Sequence, residues 1–512
     1  MKQLIHYLKN LPPTPFPCFP IIGHLHLLFK HNSSLPRTLA KLSESYGPIL
    51  YLWFGFRPVL VVSSPLAVEQ SLGQNDLIFA GRPQLIAGKI IGYNNSILLL
   101  ASDTNHCRNL RRILTANILS PIRLKFISAV CHDEALSVIR QLYKSGHHFC
   151  DQSQRNKDSE LAALAATGSV IAVKDQQMVD MNALFYDFTY QVMVRMIVGK
   201  HDGSRWVSKN GNKFKEVLKK MYEISGSIYT RDILPLVRNM RSEKRMRVIH
   251  EKSDEMLQEL LEEERSRMTS SCCMVNKDMS VVQVLLTMQT THPTTYTDDI
   301  LKGVILVLFL AGVDTSASTM EWIMTLLLNN PFALMKAQAE IDEQIGHGRI
   351  VEEADLRNLN YVRCIINETL RMYPTVPMLL PHESSKDCLV GRYHIPRGTM
   401  LLVNVWGIHN NPQLWDNPKK FMPERFEGIN ENQVGYKFMP FGSGRRRCPG
   451  ENLAMRVIGQ LIGLLIQCFE WERTSEELIN MEERVRLTML KVKPLRAKFG
   501  PRLSMLNQIS QI

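Results

Sequence analysis

The chain has 512 residues, 45% of them hydrophobic and 21% charged, an ordinary globular composition that excludes disorder as the default state. Its formal charge of +12 and pI near 9.2 suit nucleic acid, an anionic membrane surface or an acidic protein, but no finger, helix-turn-helix or aromatic-basic platform accompanies the charge, so nucleic acid is set aside. No long Pro-, Gly- or Ser-rich linker divides the chain, which reads as one domain, residues 21–512, behind a short lead.

In the lead, residues 1–9 are too few and too polar to span a bilayer, which needs about 20 apolar residues. Residues 11–20 carry five prolines, which fix φ repeatedly and predict a stiff extended spacer. Residues 1–20 are thus a lead with no clear membrane anchor. Aromatic and β-branched runs at 49–54 and 59–62 flank Gly55-Phe56-Arg57-Pro58 and predict a β-hairpin.

From about residue 65, apolar spacings of three and four predict helices over 108–118, 133–143, 181–198 and 213–225. Small and polar residues over 151–177 break that rhythm and predict a surface loop. Residues 243–267 mix charge with Leu, Met and Ile at helical spacing, the pattern of a solvated amphipathic helix. The longest apolar run, 304–313, is about half a bilayer span and leads straight into Asp314 and Thr315, which predicts a buried core helix. A second β region is expected at 387–403, with strand, turn and strand over 393–399. The fold class is mainly α with small β-sheets. Ten cysteines show no zinc spacing or disulfide ladder, which matches a reducing compartment where most are small buried hydrophobes.

Three segments carry chemistry. In Pro440-Phe441-Gly442-Ser443-Gly444-Arg445-Arg446-Arg447-Cys448-Pro449-Gly450, a cysteine sits on a glycine-rich loop just before a helical run. Backbone N–H groups, the helix N-terminus and nearby arginines favour thiolate over thiol there, and a stable thiolate can ligate iron. A dinucleotide-binding loop would need glycine where Arg447 stands. Second, Ala311-Gly312-Val313-Asp314-Thr315-Ser316 puts an acid and a hydroxyl inside an apolar helix. Such groups demand hydrogen-bond partners, and Thr can bond back to a carbonyl and open the helix ladder. Third, Glu368 and Arg371 share a helix face at i and i+3, a pair that means little until joined by Arg425 of Pro423-Glu424-Arg425-Phe426.

These segments resemble the cytochrome P450 family. Its cysteine loop FxxGxRxCxG is matched by Phe441, Gly444, Arg446, Cys448 and Gly450, its central-helix motif (A/G)Gx(D/E)T by Ala311, Gly312, Asp314 and Thr315, and its ExxR pair by Glu368 and Arg371. The resemblance implies the cytochrome P450 fold, with haem b between the long central helix and the cysteine-loop helix. It implies Cys448 as axial ligand of the iron, a thiolate that favours cleavage of the dioxygen bond. Phe441 packs by the sulfur within a loop that includes Pro440, Gly442 and Gly450. Arg111, His382 and Arg446 hold the haem propionates, Ala311 and Gly312 border the haem, and Gly312 permits its close approach. Asp314 and Thr315 supply protons during dioxygen cleavage, and Glu368, Arg371 and Arg425 form a buried structural network. Phe79-Ala80-Gly81-Arg82-Pro83 is similar to the family's FAxRP segment. Where the family places tryptophan, four residues before Arg111, this chain has Cys107, which removes one expected propionate hydrogen bond.

The resemblance runs from about Leu11 to the C-terminus. It is closest to the plant branch of isoflavone hydroxylases and related phenylpropanoid oxidases, through Pro20-Ile21-Ile22-Gly23-His24-Leu25-His26-Leu27-Leu28, Ile91-Gly92-Tyr93-Asn94-Asn95 and Pro381-His382-Glu383-Ser384-Ser385. It implies a monooxygenase that inserts one atom of O2 into a small aromatic plant metabolite of flavonoid, isoflavonoid or phenylpropanoid type. No flavin or nicotinamide fingerprint is visible, so electrons come from NADPH through NADPH–cytochrome P450 reductase, docking near Arg445, Arg446 and Arg447. The expected location is the cytosolic face of the endoplasmic reticulum, with peripheral or anchored attachment. Leu306, Phe309, Leu310 and residues 376–379 are the expected pocket walls. The alternatives are a haem-thiolate isomerase or dehydratase that needs no external O2, against which Asp314 and Thr315 argue, and a catalytically impaired haem-binding protein, motivated by Cys107.

Overall fold

The computed structural model describes residues 10–29, 34–102, 105–154, 177–199, 204–225, 230–233, 240–270, 279–429 and 434–512. Its helices of eight or more residues are α1 Leu35–Tyr46, α2 Asn105–Arg112, α3 Pro121–Gln154, α4 Met181–Val198, α5 Arg205–Ser225, α6 Met240–Ser270, α7 Val281–Thr291, α8 Asp298–Gly312, α9 Asp314–Asn329, α10 Pro331–Gln344, α11 Asn360–Met372 and α12 Glu451–Cys468. The strands are β1 Ile49–Phe54, β2 Arg57–Val62, β3 Gln177–Asp180, β4 His382–Glu383, β5 Cys388–Val390, β6 Tyr393–Ile395, β7 Met400–Val403, β8 Phe469–Arg473, β9 Glu483–Val485, β10 Met489–Lys491 and β11 Arg496–Pro501.

The hairpin expected near the N-terminus is β1–β2, in register from Ile49 opposite Val62 to Phe54 opposite Arg57, with Gly55 at φ +61° in its turn. β2 then pairs in parallel with β7, and β7 antiparallel with β4, giving the order β1-β2-β7-β4. The expected strand-turn-strand over 393–399 is corrected here: β6 pairs with β5, while β7 joins the first sheet. All four residues of β7 are buried, and a strand covered on both faces belongs inside a sheet rather than in an exposed hairpin.

The helices begin and end where local chemistry dictates. Asp180 caps α4, accepting from the Ala183 N–H at 3.0 Å, and Gly199 at φ +94° follows its last turn. Ser280 and Gln283 form a capping box on α7. Asp298 and Asp299 stand in the first turn of α8, where the helix dipole favours negative charge. α4 lies against α3 and α9, and α12 against α3, α9 and α10, so one large apolar cluster runs through these helices while two smaller ones cover the two faces of the first sheet.

The expected core helix is α8 with α9. Together they are long and apolar enough to cross a membrane, but 67% of the most apolar stretch is buried inside the fold. α2 runs on as a wider π-type turn, Ile113–Ile118. Of the loop expected over 151–177, residues 151–154 continue α3, Gln177 opens β3, and the rest lies outside the described residues. The proline-rich segment is non-helical and lies on the first sheet: the Tyr51 N–H donates to the Pro13 carbonyl at 2.9 Å, and Leu11 and Pro12 are buried.

Candidate active site

The cysteine loop is built on backbone turns. Gly442 and Gly444 sit at φ +74° and +66°, and at Gly444 a Cβ would press on the Leu72 carbonyl at 2.6 Å, so only glycine fits. The Cys448 N–H closes the loop onto the Phe441 carbonyl at 2.9 Å, and the Met439 N–H anchors its start on His409 Nε2 at 3.0 Å. Pro440, Phe441, Gly442 and Gly450 are all partly accessible. Cys448 is exposed, although protein atoms surround it closely enough that burial pushes its thiol up. The Gly450 N–H and the charges of Arg111 and Arg447 pull it back down, against Glu451. Arg445 pairs with Asp76 at 2.8 Å and Arg447 with Glu451 at 2.7 Å, so much of their charge is answered by carboxylates. A metal cation on the sulfur would remove the remaining proton.

One edge of the site is a basic pole. Arg446 donates to the carbonyls of Ala80 at 2.6 and 2.8 Å, Ala101 at 2.5 Å and Leu98 at 3.3 Å, and to Cys107 Sγ at 3.0 Å. Buried Arg82 donates to the Leu380 and Pro381 carbonyls at 2.8 and 2.7 Å, and its Nε has no partner. Burial and the charge of Arg446 lower its guanidinium to about 9. His382, 3% exposed, places Nδ1 2.8 Å from the Phe79 carbonyl. Burial and Arg82 hold its imidazole well below the usual range. Among the described residues, none of the hydrogen-bond partners of Arg82, Arg446 and His382 is a carboxylate, so this pole fits the two propionates of a haem. Arg111, at the end of α2, donates to the Arg447 carbonyl at 2.8 Å, beside Cys448 rather than bonded to Arg446.

The central helix breaks between α8 and α9 at Val313. Thr315 Oγ1 donates back to the Ala311 carbonyl at 2.5 Å. Asp314 accepts from the Thr488 hydroxyl at 2.9 Å, and burial raises its carboxyl while that bond lowers it. Acid and hydroxyl thus adjoin in sequence but hold different partners. Ala311 is exposed and Thr315 half-buried, in a helix whose Leu306 and Phe309 are wholly buried.

Helical phase explains this and corrects the expected walls. Phe309 packs between Tyr190 and Phe214, with centroids 6.0 and 5.0 Å away, so it and Leu306 are core. Residues 303, 307 and 311 recur at i+4 on another face, and Gly303, Val304 and Val307 line a small apolar cavity with Leu98, Leu110 and Leu114. Gly312 is corrected as well. A Cβ there would meet Met193 Sδ at 2.8 Å, so its small size serves packing against α4, and the residue presented to the open face is Ala311. Among residues 376–379, Met378 is buried under the first sheet, whereas Val376 and Leu379 are partly accessible.

Behind the loop lies the charge network. Glu368 accepts from Arg371 at 2.7 and 2.8 Å, from Arg425 at 3.2 Å and from the Met422 N–H at 3.0 Å. Arg371 also donates to the His409 carbonyl at 2.8 Å. The same His409 receives Met439, so the network braces the start of the cysteine loop.

An α-rich fold with an accessible thiol ahead of one helix, an acid and hydroxyl at a break in another, and a buried basic edge has the donor set of the haem-thiolate class. A family model described as Cytochrome P450 matches residues 12–499. The chain belongs to the cytochrome P450 family and is a haem-dependent monooxygenase using O2 and NADPH-derived electrons. It is 42% identical over 508 residues to isoflavone 3'-hydroxylase of Medicago truncatula, covering 97% of this chain and 94% of that one. It is 38% identical over 496 residues to isoflavone 2'-hydroxylase of the same plant, covering 96% and 92%, and 37% identical over 514 residues to (+)-piperitol/(+)-sesamin synthase of Sesamum radiatum, covering 99% and 94%. A zebra fish cytochrome P450 structure with progesterone shares the fold at a TM-score of 0.71 and 23% identity, covering 92% of this chain and 100% of that one.

Sequence reasoning did not number Arg82, Tyr222 or Thr488 among the site residues. Arg82 had a signal in its FAxRP-like segment. Tyr222 and Thr488 had none, because they reach the helix break from 92 and 174 residues away.

Proposed function

We propose that this enzyme oxidises a small aromatic plant metabolite of flavonoid, isoflavonoid or phenylpropanoid type, with Cys448 as the residue that would ligate the haem iron and with Asp314 and Thr315 handling protons. The observation that carries this reading is the accessible Cys448 sulfur in a fold that also exposes Ala311 and half-exposes Thr315 at a helix break. The substrate class rests on relatives named as isoflavone 3'-hydroxylase, isoflavone 2'-hydroxylase and (+)-piperitol/(+)-sesamin synthase.

When bound, the haem supplies reductive activation of O2 and transfer of one oxygen atom to the substrate, the other leaving as water. The polypeptide supplies the rest. Arg82, Arg111, His382 and Arg446 would hold the propionates, and Pro440, Phe441, Gly442 and Gly450 shape the loop around the sulfur. Ala311 leaves room beside the helix break, and Gly312 lets α4 pack close behind it. The Thr315 hydroxyl and Asp314 carboxyl hold and pass protons at the break. The aromatic substrate lies against Val376, Leu379 and Leu310, with orientation set by apolar contact.

Electrons come from NADPH–cytochrome P450 reductase, docked on the face that carries the exposed Arg445 and Arg447. Attachment to the cytosolic face of the endoplasmic reticulum is supported by Phe16, Phe19, Ile21, Ile22 and Phe56, exposed apolar side chains on segments joined by the bond from the Gly55 N–H to the Ile22 carbonyl. The test combines the reduced carbon monoxide spectrum with a panel of isoflavones, flavones and lignans screened for binding shifts and NADPH-dependent turnover with reductase. A red-shifted, thiolate-type Soret band and aromatic turnover are expected. A histidine-type band, or turnover that needs neither O2 nor NADPH, would overturn the reading.

A further inference from the structure

Two side chains outside every motif meet the helix break. The Asp314 N–H lies in the first turn of α9, where a helix offers its own N–H groups no acceptor. It finds the Tyr222 hydroxyl of α5 at 3.4 Å, and that hydroxyl donates to the Phe309 carbonyl of α8 at 2.8 Å. One phenol therefore bridges the two halves of the broken helix. From the turn between β9 and β10, Thr488 donates to Asp314 Oδ2 at 2.9 Å.

That turn is held from several sides. The Arg486 N–H donates to the Thr488 carbonyl at 3.1 Å, the Met489 N–H to the Thr375 carbonyl at 2.9 Å, and Trp322 Nε1 to the Met489 carbonyl at 2.9 Å. Arg486 also donates to the Glu223 carbonyl at 3.4 Å, next to Tyr222. The Thr488 hydroxyl is therefore delivered by a braced hairpin.

We propose that Tyr222 and Thr488 are positioning residues for Asp314, Tyr222 fixing the backbone at the helix break and Thr488 fixing the carboxyl group on the β9–β10 hairpin. This rests on the reading of Asp314 as a proton-handling acid. The titratable groups facing Asp314 are Tyr186 of α4 and Tyr222 of α5, and burial pushes both phenols up. Both stay neutral near neutral pH, so a change of charge at this point belongs to Asp314.

The test uses the holoprotein. Product formed per NADPH is followed against pH in Thr488→Val, Thr488→Ser and Asp314→Asn, with the carbon monoxide spectrum reporting an intact haem site. Exchange of the Asp314 amide is followed by mass spectrometry in Tyr222→Phe. Loss of the Thr488 donor removes a bond that favours the carboxylate, so the Val profile moves to higher pH by about half a unit or more, and Ser restores it. Loss of the phenol hydroxyl speeds the amide exchange about tenfold. A Val profile that coincides with wild type, or unchanged exchange in the Phe variant, overturns the corresponding assignment. Should valine disturb the hairpin, Thr488→Ala repeats the measurement. If Asp314→Asn abolishes the pH dependence while the Thr488 variants keep it, the inference fails and the acid's role stands. If Asp314→Asn leaves coupling and profile untouched, the acid's role itself falls.

Discussion

Replacing Glu368 by Gln removes one negative charge from a site where it is the shared acceptor of four donors: Arg371 Nε and Nη2, Arg425 Nε and the Met422 N–H. Glu368 and Arg371 are wholly buried and Arg425 nearly so. Arg371 would keep the His409 and Pro418 carbonyls, each at 2.8 Å, but these are dipoles, and a glutamine NH2 would point a donor at a guanidinium. Breaking a buried pair by removing one partner costs about 3–5 kcal/mol, and here two cations lose the anion they share. Against a total stability of about 5–15 kcal/mol for a typical domain, that loss is large. It would act at the start of the cysteine loop through His409 and Met439. The expected result is a protein with strongly reduced haem content, measured as ferrous carbon monoxide absorbance per polypeptide, and an early denaturant midpoint. Replacing Glu368, Arg371 and Arg425 together by Met should recover part of the loss, because no charge is then stranded. It should not recover all, because the Met422 N–H and the carbonyls of His409, Pro418 and Asn417 lose partners worth about 1 kcal/mol each. Full haem content in Glu368→Gln with a midpoint within error of wild type would refute the reasoning.

Cys448→Ser should abolish the thiolate-type carbon monoxide band, and a variant that keeps band and turnover would remove the ligand assignment. Thr315→Ala should retain haem but divert NADPH to peroxide, and unchanged product per NADPH would exclude a proton-handling hydroxyl there. Cys107→Ala removes a sulfur acceptor 3.0 Å from Arg446, at a cost of about 1 kcal/mol; because Arg446 keeps three carbonyls, haem content should change little, as absorbance titration would report. Burial lowers the Lys491 ammonium to about 8, below its unfolded value. The unfolded chain then binds the extra proton between about pH 8 and 10.5, and stability rises with pH across that window by at most about 3 kcal/mol. Denaturation of wild type against Lys491→Met at pH 7 and pH 10 should show the rise only in wild type.

The cysteine loop was legible because its determinants are local. Gly442 and Gly444 are needed for positive φ, and Cys448 precedes the helix by two residues of turn. Thr315 was legible for the same reason, since its bond to Ala311 spans one helical turn. The charge network was only half legible: Glu368 and Arg371 advertise each other at i+3, whereas Arg425 arrives from another segment. The phase of α8 was misread at Leu306 and Phe309, because a helix apolar on every side shows core and pocket faces alike until its neighbours are known. Gly312 was misread for the converse reason, its contact being Met193 of α4.

The amino-acid order alone determined the mainly helical character, the first hairpin, the sulfur donor on its loop and the acid beside a hydroxyl at a weak point in an apolar helix. Each depends on residues within a few positions of one another, where backbone sterics and helical periodicity act directly. Tertiary structure alone decided that β7 enters the first sheet, that Arg82, Arg446 and His382 gather with no carboxylate among their partners in the described residues, and that Tyr222 and Thr488 hydrogen-bond to Asp314. Such meetings are settled by how whole elements bury their apolar faces. Polar groups carried inward by that packing then take partners that no short stretch of chain contains.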